Sequence, residues 1–341
     1  MEIPPSAPRR IVSLLPAATE IAAALGLADR LVGRSHECDV PAGVERLPAL
    51  TAARIDAAAP SREIHEQVGR ALAGGTTACG LPPGSTRATP PDTTAEAADG
   101  SALFSLDADT LAALEPDLIL TQAACDVCAI AAADVENAVR KAGVGTQVLA
   151  LSPATLADLF SDILRVGAAT GTLSRAREVV ARLQSRIDSV ACRARALLRQ
   201  SAARPPRVAV IEWLDPPMAA GNWVPEMVRL AGGADALGRP GEHSHWIEWD
   251  AVAAADPDVV VLVPCGFPLA RVLSEAASPA VRAQLERLRA WQSGRVVAVD
   301  GHHLFNRPGP RLVDSLEVLA QILHPHAFRF GHGRHVAAIR G

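Results

Sequence analysis

Lysine is almost missing from this 341-residue sequence: Lys141 is the only one, and the other cationic side chains are arginines dispersed among carboxylates. The formal net charge is only −4. Without a basic stripe or run, a nucleic-acid partner is not expected. Long apolar runs are also missing. No stretch reaches the roughly 18 apolar residues of a membrane span, since even Asp256 to Val263 has only strand length, so no membrane insertion is expected. Met1 to Arg10 offers no uninterrupted apolar segment of the secretory type. Arg9-Arg10 before Ile11-Val12-Ser13-Leu14-Leu15 imitates a twin-arginine signal, but Pro16 and Glu20 interrupt the run. The expectation is therefore a cytoplasmic protein, exported only if the natural start lies upstream. No Gly-rich phosphate loop of the P-loop type, no nucleophile elbow and no His-Glu-x-x-His pattern occurs, which favours binding over catalysis.

What is present is an ordinary globular composition, 49% apolar and 21% charged, in a chain longer than one core usually supports. Two lobes follow. Short β-branched or apolar runs alternate with helical patterns, the signature of α/β layers with mainly parallel strands. In the first half strands are predicted at Arg10 to Leu14, Arg30 to Gly33, Asp117 to Thr121 and Gln147 to Leu151. In the second they are predicted at Arg207 to Ile211, Asp258 to Val263 and Arg295 to Val299. Helices fill the intervals, among them Ala17 to Leu25, Ala108 to Leu114, Ala133 to Ala142, Thr155 to Ala169, Val224 to Ala231, Ala280 to Arg289 and Pro310 to Leu323.

From Leu173 to Gln200 apolar residues recur at helical spacing, and Pro205-Pro206 stops the pattern, so one long helix is predicted between the halves. The expected fold is thus α/β, two Rossmann-like lobes joined by a single long backbone helix, with a ligand cleft between the lobes. The expected divisions are an N-terminal lobe over 9–171, a helix over 172–203 and a C-terminal lobe over 204–326. A flexible insertion at 74–100, rich in Gly, Pro, Thr and Ala, would interrupt the first lobe, and a disordered tail at 327–341 would follow the second.

The informative residue clusters each begin near the carboxyl end of a predicted strand. Ser13 to Thr19 follows the first strand, His36-Glu37-Cys38-Asp39 the second and Gln122 to Cys128 the third. Glu212-Trp213-Leu214-Asp215-Pro216 and Pro264-Cys265-Gly266-Phe267 occupy the same place in the second half. In open α/β sheets ligands bind at that edge, where loops and helix N-termini converge.

Four phrases, in order, carry a resemblance: Ile11-Val12-Ser13-Leu14-Leu15-Pro16-Ala17-Ala18-Thr19-Glu20, Leu114-Glu115-Pro116-Asp117-Leu118-Ile119, its counterpart Ala255-Asp256-Pro257-Asp258-Val259-Val260, and Arg307-Pro308-Gly309-Pro310-Arg311. The chain resembles the cobalamin and iron-chelate family of ABC-transporter substrate-binding proteins, the class with a helical inter-lobe backbone, from about Arg9 to Pro325. The resemblance implies a two-lobed protein that clamps a small chelate or corrinoid without covalent chemistry. It places Trp213 and Trp246 on cobalamin-lining aromatics, with Phe305 beside another, and Gln122 where the B12 binder has a tryptophan. It also places Asp109 and Asp250 on the acidic positions that meet an ABC permease, although both sit near helix N-termini where a carboxylate is favoured locally. With Ser13, Pro16, His36, Glu212 and Phe267 on the same loops, and Asn306 and Arg311 as polar anchors around a stiff turn, these form the expected ligand surface.

Cysteines depart from that pattern. Cys38, Cys125, Cys128 and Cys265 fall on the edge loops together with His36, a set sufficient for zinc, an iron–sulfur centre or another soft metal. Inert thiols, a metal or metal-chelate contact and redox chemistry all remain open. The rival function is accordingly a thiol- or metal-dependent enzyme, or a metal-cofactor assembly protein; an adaptor that keeps the fold for protein docking is a third. His243-Ser244-His245 and His302-His303 are read as solvated groups, and the tail with His332 and His335 as frayed rather than metal-binding.

Overall fold

The computed structural model describes residues 7–72, 103–122, 132–142, 145–202 and 204–339. The chain forms two α/β units: residues 1–59, 63–152 and 165–173 make the first, and 60–62, 153–164 and 174–341 the second. The 74–100 insertion, with Cys79, lies outside the described residues.

In the first unit the strands β1 (Ile11–Ser13), β2 (Leu31–Arg34), β5 (Leu118–Gln122) and β6 (Gln147–Leu151) form a sheet ordered β2-β1-β5-β6, parallel throughout. β1 is buried at every residue and β5 at all but its last, as expected of parallel strands covered on both faces. Val12, Leu14, Ile119, Leu111 and Val135 build one core cluster with Leu50. A two-stranded antiparallel ribbon, β3 (Thr51–Ala53) with β4 (Phe104–Leu106), was not legible as strand.

The second unit is built on β7 (Arg207–Leu214), β11 (Val259–Leu262) and β12 (Val296–Val299), which are parallel. Around them lie β8 (Pro217–Ala219), β9 (Ala234–Asp235), β10 (His245–Trp246) and β13 (Val336–Ile339). One edge of β7 is shared, its start pairing with β9 and its end with β8. Val259-Val260-Val261-Leu262 is wholly buried.

Leu173–Ser201 is one unbroken helix of 29 residues, roughly 43 Å at about 1.5 Å per residue. Its buried stripe includes Val179, Val180, Leu183, Ile187, Val190 and Ala194. It is more than a spacer. Arg186 donates to Asp314 at 2.6 Å and pairs with Glu317 at 2.8 Å, tying it to the helix Leu312–Leu323.

The tail corrects the expectation of disorder. β13 pairs antiparallel with β12 from Val336 opposite Val299 to Ile339 opposite Val296. His332 Nε2 lies 2.8 Å from Glu317 Oε2, and His335 Nδ1 lies 2.9 Å from Asp300 Oδ2. The glycines around this segment hid a strand whose order comes from long-range pairing.

Candidate functional site

The first unit's carboxyl edge begins where β1 runs into the helix Pro16–Ala24. Pro16 starts that helix, where its missing N–H costs nothing. Ser13 is fully buried; its Oγ accepts from Thr19 Oγ1 at 2.8 Å and donates to the Leu15 carbonyl at 3.1 Å. Thr19 Oγ1 also lies 3.0 Å from Cys38 Sγ. Cys38 is only 2% exposed. Its sulfur is therefore sealed in a hydroxyl network beneath the loop, a correction to its expected role as an accessible ligand atom.

His36 differs. Arg34 staples the loop that carries it, donating through Nη1 to the carbonyls of Ser35 and His36 at 2.9 and 3.2 Å, and through Nη2 and Nε to those of Glu45 and Leu47. Thr51 Oγ1 donates its single proton to Ser35 Oγ at 3.1 Å, and sits 2.7 Å from His36 Nδ1. Thr51 must then accept from Nδ1–H, which leaves Nε2 with its lone pair. Burial lowers the imidazole pKa, with Arg34 adding to the effect and Glu37 opposing it, so the ring is held neutral. Gln122 ends β5. Cys125 and Cys128, expected beyond it, lie outside the described residues.

In the second unit Glu212 is pushed above its ordinary carboxyl pKa by burial, opposed by the Ser244 hydroxyl and the Gly221 backbone. Ser244 Oγ donates to Glu212 Oε2 at 2.7 Å and accepts from Gly221 N at 3.1 Å. Trp213 is half-buried and meets Phe267 edge-on with centroids 5.2 Å apart. Its Nε1 donates to the Ser61 carbonyl at 3.2 Å. Trp246, on β10, is also half-buried. Cys265 is half-buried, and its N–H donates to the Glu212 carbonyl at 3.1 Å.

Two expected wall aromatics are core residues instead. Phe305 is 1% exposed, its N–H donating to Ser315 Oγ and its carbonyl accepting from Trp223 Nε1 at 2.7 Å. Phe267 is 2% exposed, with the Arg271 guanidinium 3.6 Å above its ring. Asn306 spends its amide donors on the carbonyls of Val263 and Gly301 at 3.2 and 3.0 Å, leaving only its oxygen as an anchor. Arg311 occupies the N-cap position of the helix Leu312–Leu323, where its side chain makes no capping bond.

Asp109 is exposed in the first turn of Ala108–Ala113, after Asp107, which accepts the capping bonds from Thr110. Asp250 is exposed and pairs with Arg287 at 2.7 Å. Among the described residues, no cluster of metal-type ligands includes His36, Cys38 or Cys265. Sequence reasoning missed Thr51 and Arg34, which position His36, and Asp300, which gathers the histidines His303 and His335. It also missed a buried pair of polar atoms, Asp235 Oδ2 and His245 Nδ1, that have no partner among the described residues. No helix among the described residues is long and apolar enough to cross a membrane.

A family model described as "Periplasmic binding protein" matches residues 65–303. A curated relative, an uncharacterized ABC transporter substrate-binding lipoprotein, YvrC, of Bacillus subtilis, is 22% identical, with 94% of this chain and 82% of that protein covered. Among solved structures, a periplasmic heme-binding protein of Pseudomonas aeruginosa superposes with a TM-score of 0.65 at 21% identity, covering 98% of this chain and 99% of its own. The periplasmic vitamin B12-binding protein BtuF of Vibrio cholerae gives 0.61 at 18% identity, over 93% and 97%. With two α/β units, a long unbroken helix and the repeated Pro-Asp phrases already in place, the match over most of the chain makes it a member of the periplasmic binding protein family.

Proposed function

We propose that the protein reversibly binds a small metal chelate, a corrinoid or porphyrin foremost, at the carboxyl-edge loops of its parallel sheets, without covalent chemistry. The observation that carries the reading is His36. Its Nδ1 proton is committed to Thr51 and its ring is kept neutral, so Nε2 presents a lone pair on a loop that Arg34 holds in place. A neutral imidazole suits iron, cobalt or zinc as a ligand. Trp213 and Trp246 add half-buried flat faces of the kind that cover a macrocycle at small entropic cost. The names of the heme-binding and B12-binding relatives agree with this ligand class. The rival reading, thiol chemistry, loses support from the sealing of Cys38 and falls back on Cys265, Cys125 and Cys128.

Absorption and calorimetric titration with cyanocobalamin, hemin and a ferric hydroxamate tests the reading. One ligand per chain should bind and be recovered chemically unchanged. Failure of all three to bind, or recovery of an altered ligand, overturns it.

Two finer points belong to the same proposal. Asp109 and Asp250 are the proposed contacts for an ABC permease, Asp250 after parting from Arg287. A cytoplasmic location is the other finer point, kept as the alternative to permease docking. The two points exclude each other, because the permease face that receives a binding protein is outside the cytoplasm. Fractionation of cells expressing the natural gene decides between them: recovery in the cytosol removes the permease, and recovery outside it removes the cytoplasmic reading.

A further inference from the structure

Away from these loops, the second unit gathers two clusters of metal-type ligands: Asp300 with His303 and His335, and Asp314 with Glu317 and His332. They differ in what already neutralises them. In the latter the Arg186 guanidinium lies 2.6 Å from Asp314 and 2.8 Å from Glu317, so a fixed cation occupies the centre. At Asp300 the side-chain partners are the imidazoles of His303 and His335. Arg307 Nη2 lies 3.0 Å from His302 Nε2, and Arg334 Nε donates to His335 Nε2 at 2.9 Å.

Asp300 itself is held as a ligand would be. The backbone N–H groups of His302 and His303 donate to Oδ1 at 3.1 and 3.0 Å, which fixes the carboxylate. Its Oδ2 accepts from Nδ1 of His303 and Nδ1 of His335, both at 2.9 Å. Two ligand atoms at about 2.1 Å from one ion, at angles between octahedral and tetrahedral, lie roughly 3.0 to 3.4 Å apart, close to the two Oδ2–Nδ1 distances of 2.9 Å, and all three ligand atoms lie within 4.8 Å of one another. The supports are rigid. Asp300 follows β12, the next residue Gly301 has no room for a Cβ against the Pro264 carbonyl, and Asp300 N donates to the His335 carbonyl at 2.9 Å just before β13. His335 also lies beyond residues 65–303, the part that matches the family model.

We propose that Asp300 Oδ2, His303 Nδ1 and His335 Nδ1 bind a divalent transition cation, zinc foremost, and that this ion fastens β13 to the sheet. Two imidazoles and one carboxylate are a donor set for such an ion, with a remaining position for water. With the metal bound, each ring carries its proton on Nε2 and leaves the Nδ1 lone pair to the ion. Arg334, which is exposed, turns away from His335 Nε2.

The test is a cobalt(II) titration of the metal-stripped full chain, read by absorption, with zinc as competitor. One equivalent should bind with the visible bands of nitrogen and oxygen ligation and without the near-ultraviolet band of a thiolate ligand. That equivalent should be lost in His335→Ala and in Asp300→Asn, and kept in His332→Ala, which alters only the neighbouring cluster. In the unaltered protein, zinc should slow proteolysis of the tail at least severalfold and a chelator should reverse it, a readout that does not depend on how the variants fold. A thiolate spectrum with unchanged stoichiometry in His335→Ala, or no binding at micromolar cobalt, would overturn the site.

Discussion

The same device clamps the entry to both sheets, but it is charged differently in the two units. In each, a residue with positive φ, Glu115 at 39° or Asp256 at 42°, is followed by proline and then by an aspartate. The carboxylate of Asp117 accepts from the N–H groups of Arg9 and Arg10 at 2.7 and 2.9 Å. Asp258 accepts from Arg207 N at 2.8 Å, and also from the guanidiniums of Arg204 and Arg289. Although burial opposes its ionisation, these donors hold the Asp258 pKa at about 2. One backbone problem, catching the strand start beside a left-handed turn, thus has one solution, while the guanidiniums around Asp258 make the second copy pH-dependent. The sheet edges diverge in the same way: the first unit keeps small hydroxyls and an imidazole there, whereas the second folds two of its aromatics inward.

The largest effect that would sharpen this contrast is at Phe305. As a core ring, Phe305→Ala should cost about 3 to 5 kcal/mol in urea unfolding. Loss of ligand affinity at unchanged stability would return it to the binding surface. Next comes the clamp pair. Asp258→Asn should cost about 1 to 3 kcal/mol at neutral pH, and Asp117→Asn less, because only the former also loses guanidinium partners, those of Arg204 and Arg289. Since the folded pKa of Asp258 lies below that of an unfolded aspartate, its contribution is complete above about pH 4 and is lost as pH falls toward 2. The two variants should therefore converge in stability in acid, and equal losses at neutral pH would remove the distinction. Thr19→Val, which strips the hydroxyl between Ser13 and Cys38, should cost roughly 1 kcal/mol and raise the reactivity of Cys38 toward thiol reagents. Smallest is Asp250→Ala: an exposed pair with Arg287 is worth at most about 1 kcal/mol, so a larger loss would show that the carboxylate does more than local work.

Much of the frame was legible because it is local. Ile11-Val12-Ser13 and Val259-Val260-Val261-Leu262 are short and buried on both faces, Leu173–Ser201 keeps one apolar stripe, and the Pro-Asp phrases recur. What escaped reading depends on distant partners. Val336-Ala337-Ala338-Ile339 is weak as a strand by itself and is ordered by β12 and by Asp300. β8, β9 and β10 are two or three residues long and leave no period to detect. The helix predicted from Ala280 to Arg289 divides into Pro279–Glu286 and Arg289–Gln292, and Leu269–Ala276 was not anticipated. At the site, loop membership placed His36 and Cys38 near strand ends and the family resemblance placed Phe305 on the wall, but nothing in the local sequence says which way a loop side chain turns. Thr51, on a separate ribbon, fixes the His36 proton, and Ser315, ten residues on, holds the Phe305 backbone.

The most direct measurement is an equilibrium titration of the wild-type chain and of His36→Ala with hemin and cyanocobalamin, followed through the metal-sensitive absorption bands. The account predicts one site per chain, at least about tenfold weaker binding in the variant, equivalent to about 1.4 kcal/mol, and a changed metal spectrum. Equal affinity and an identical spectrum in the two proteins would contradict it.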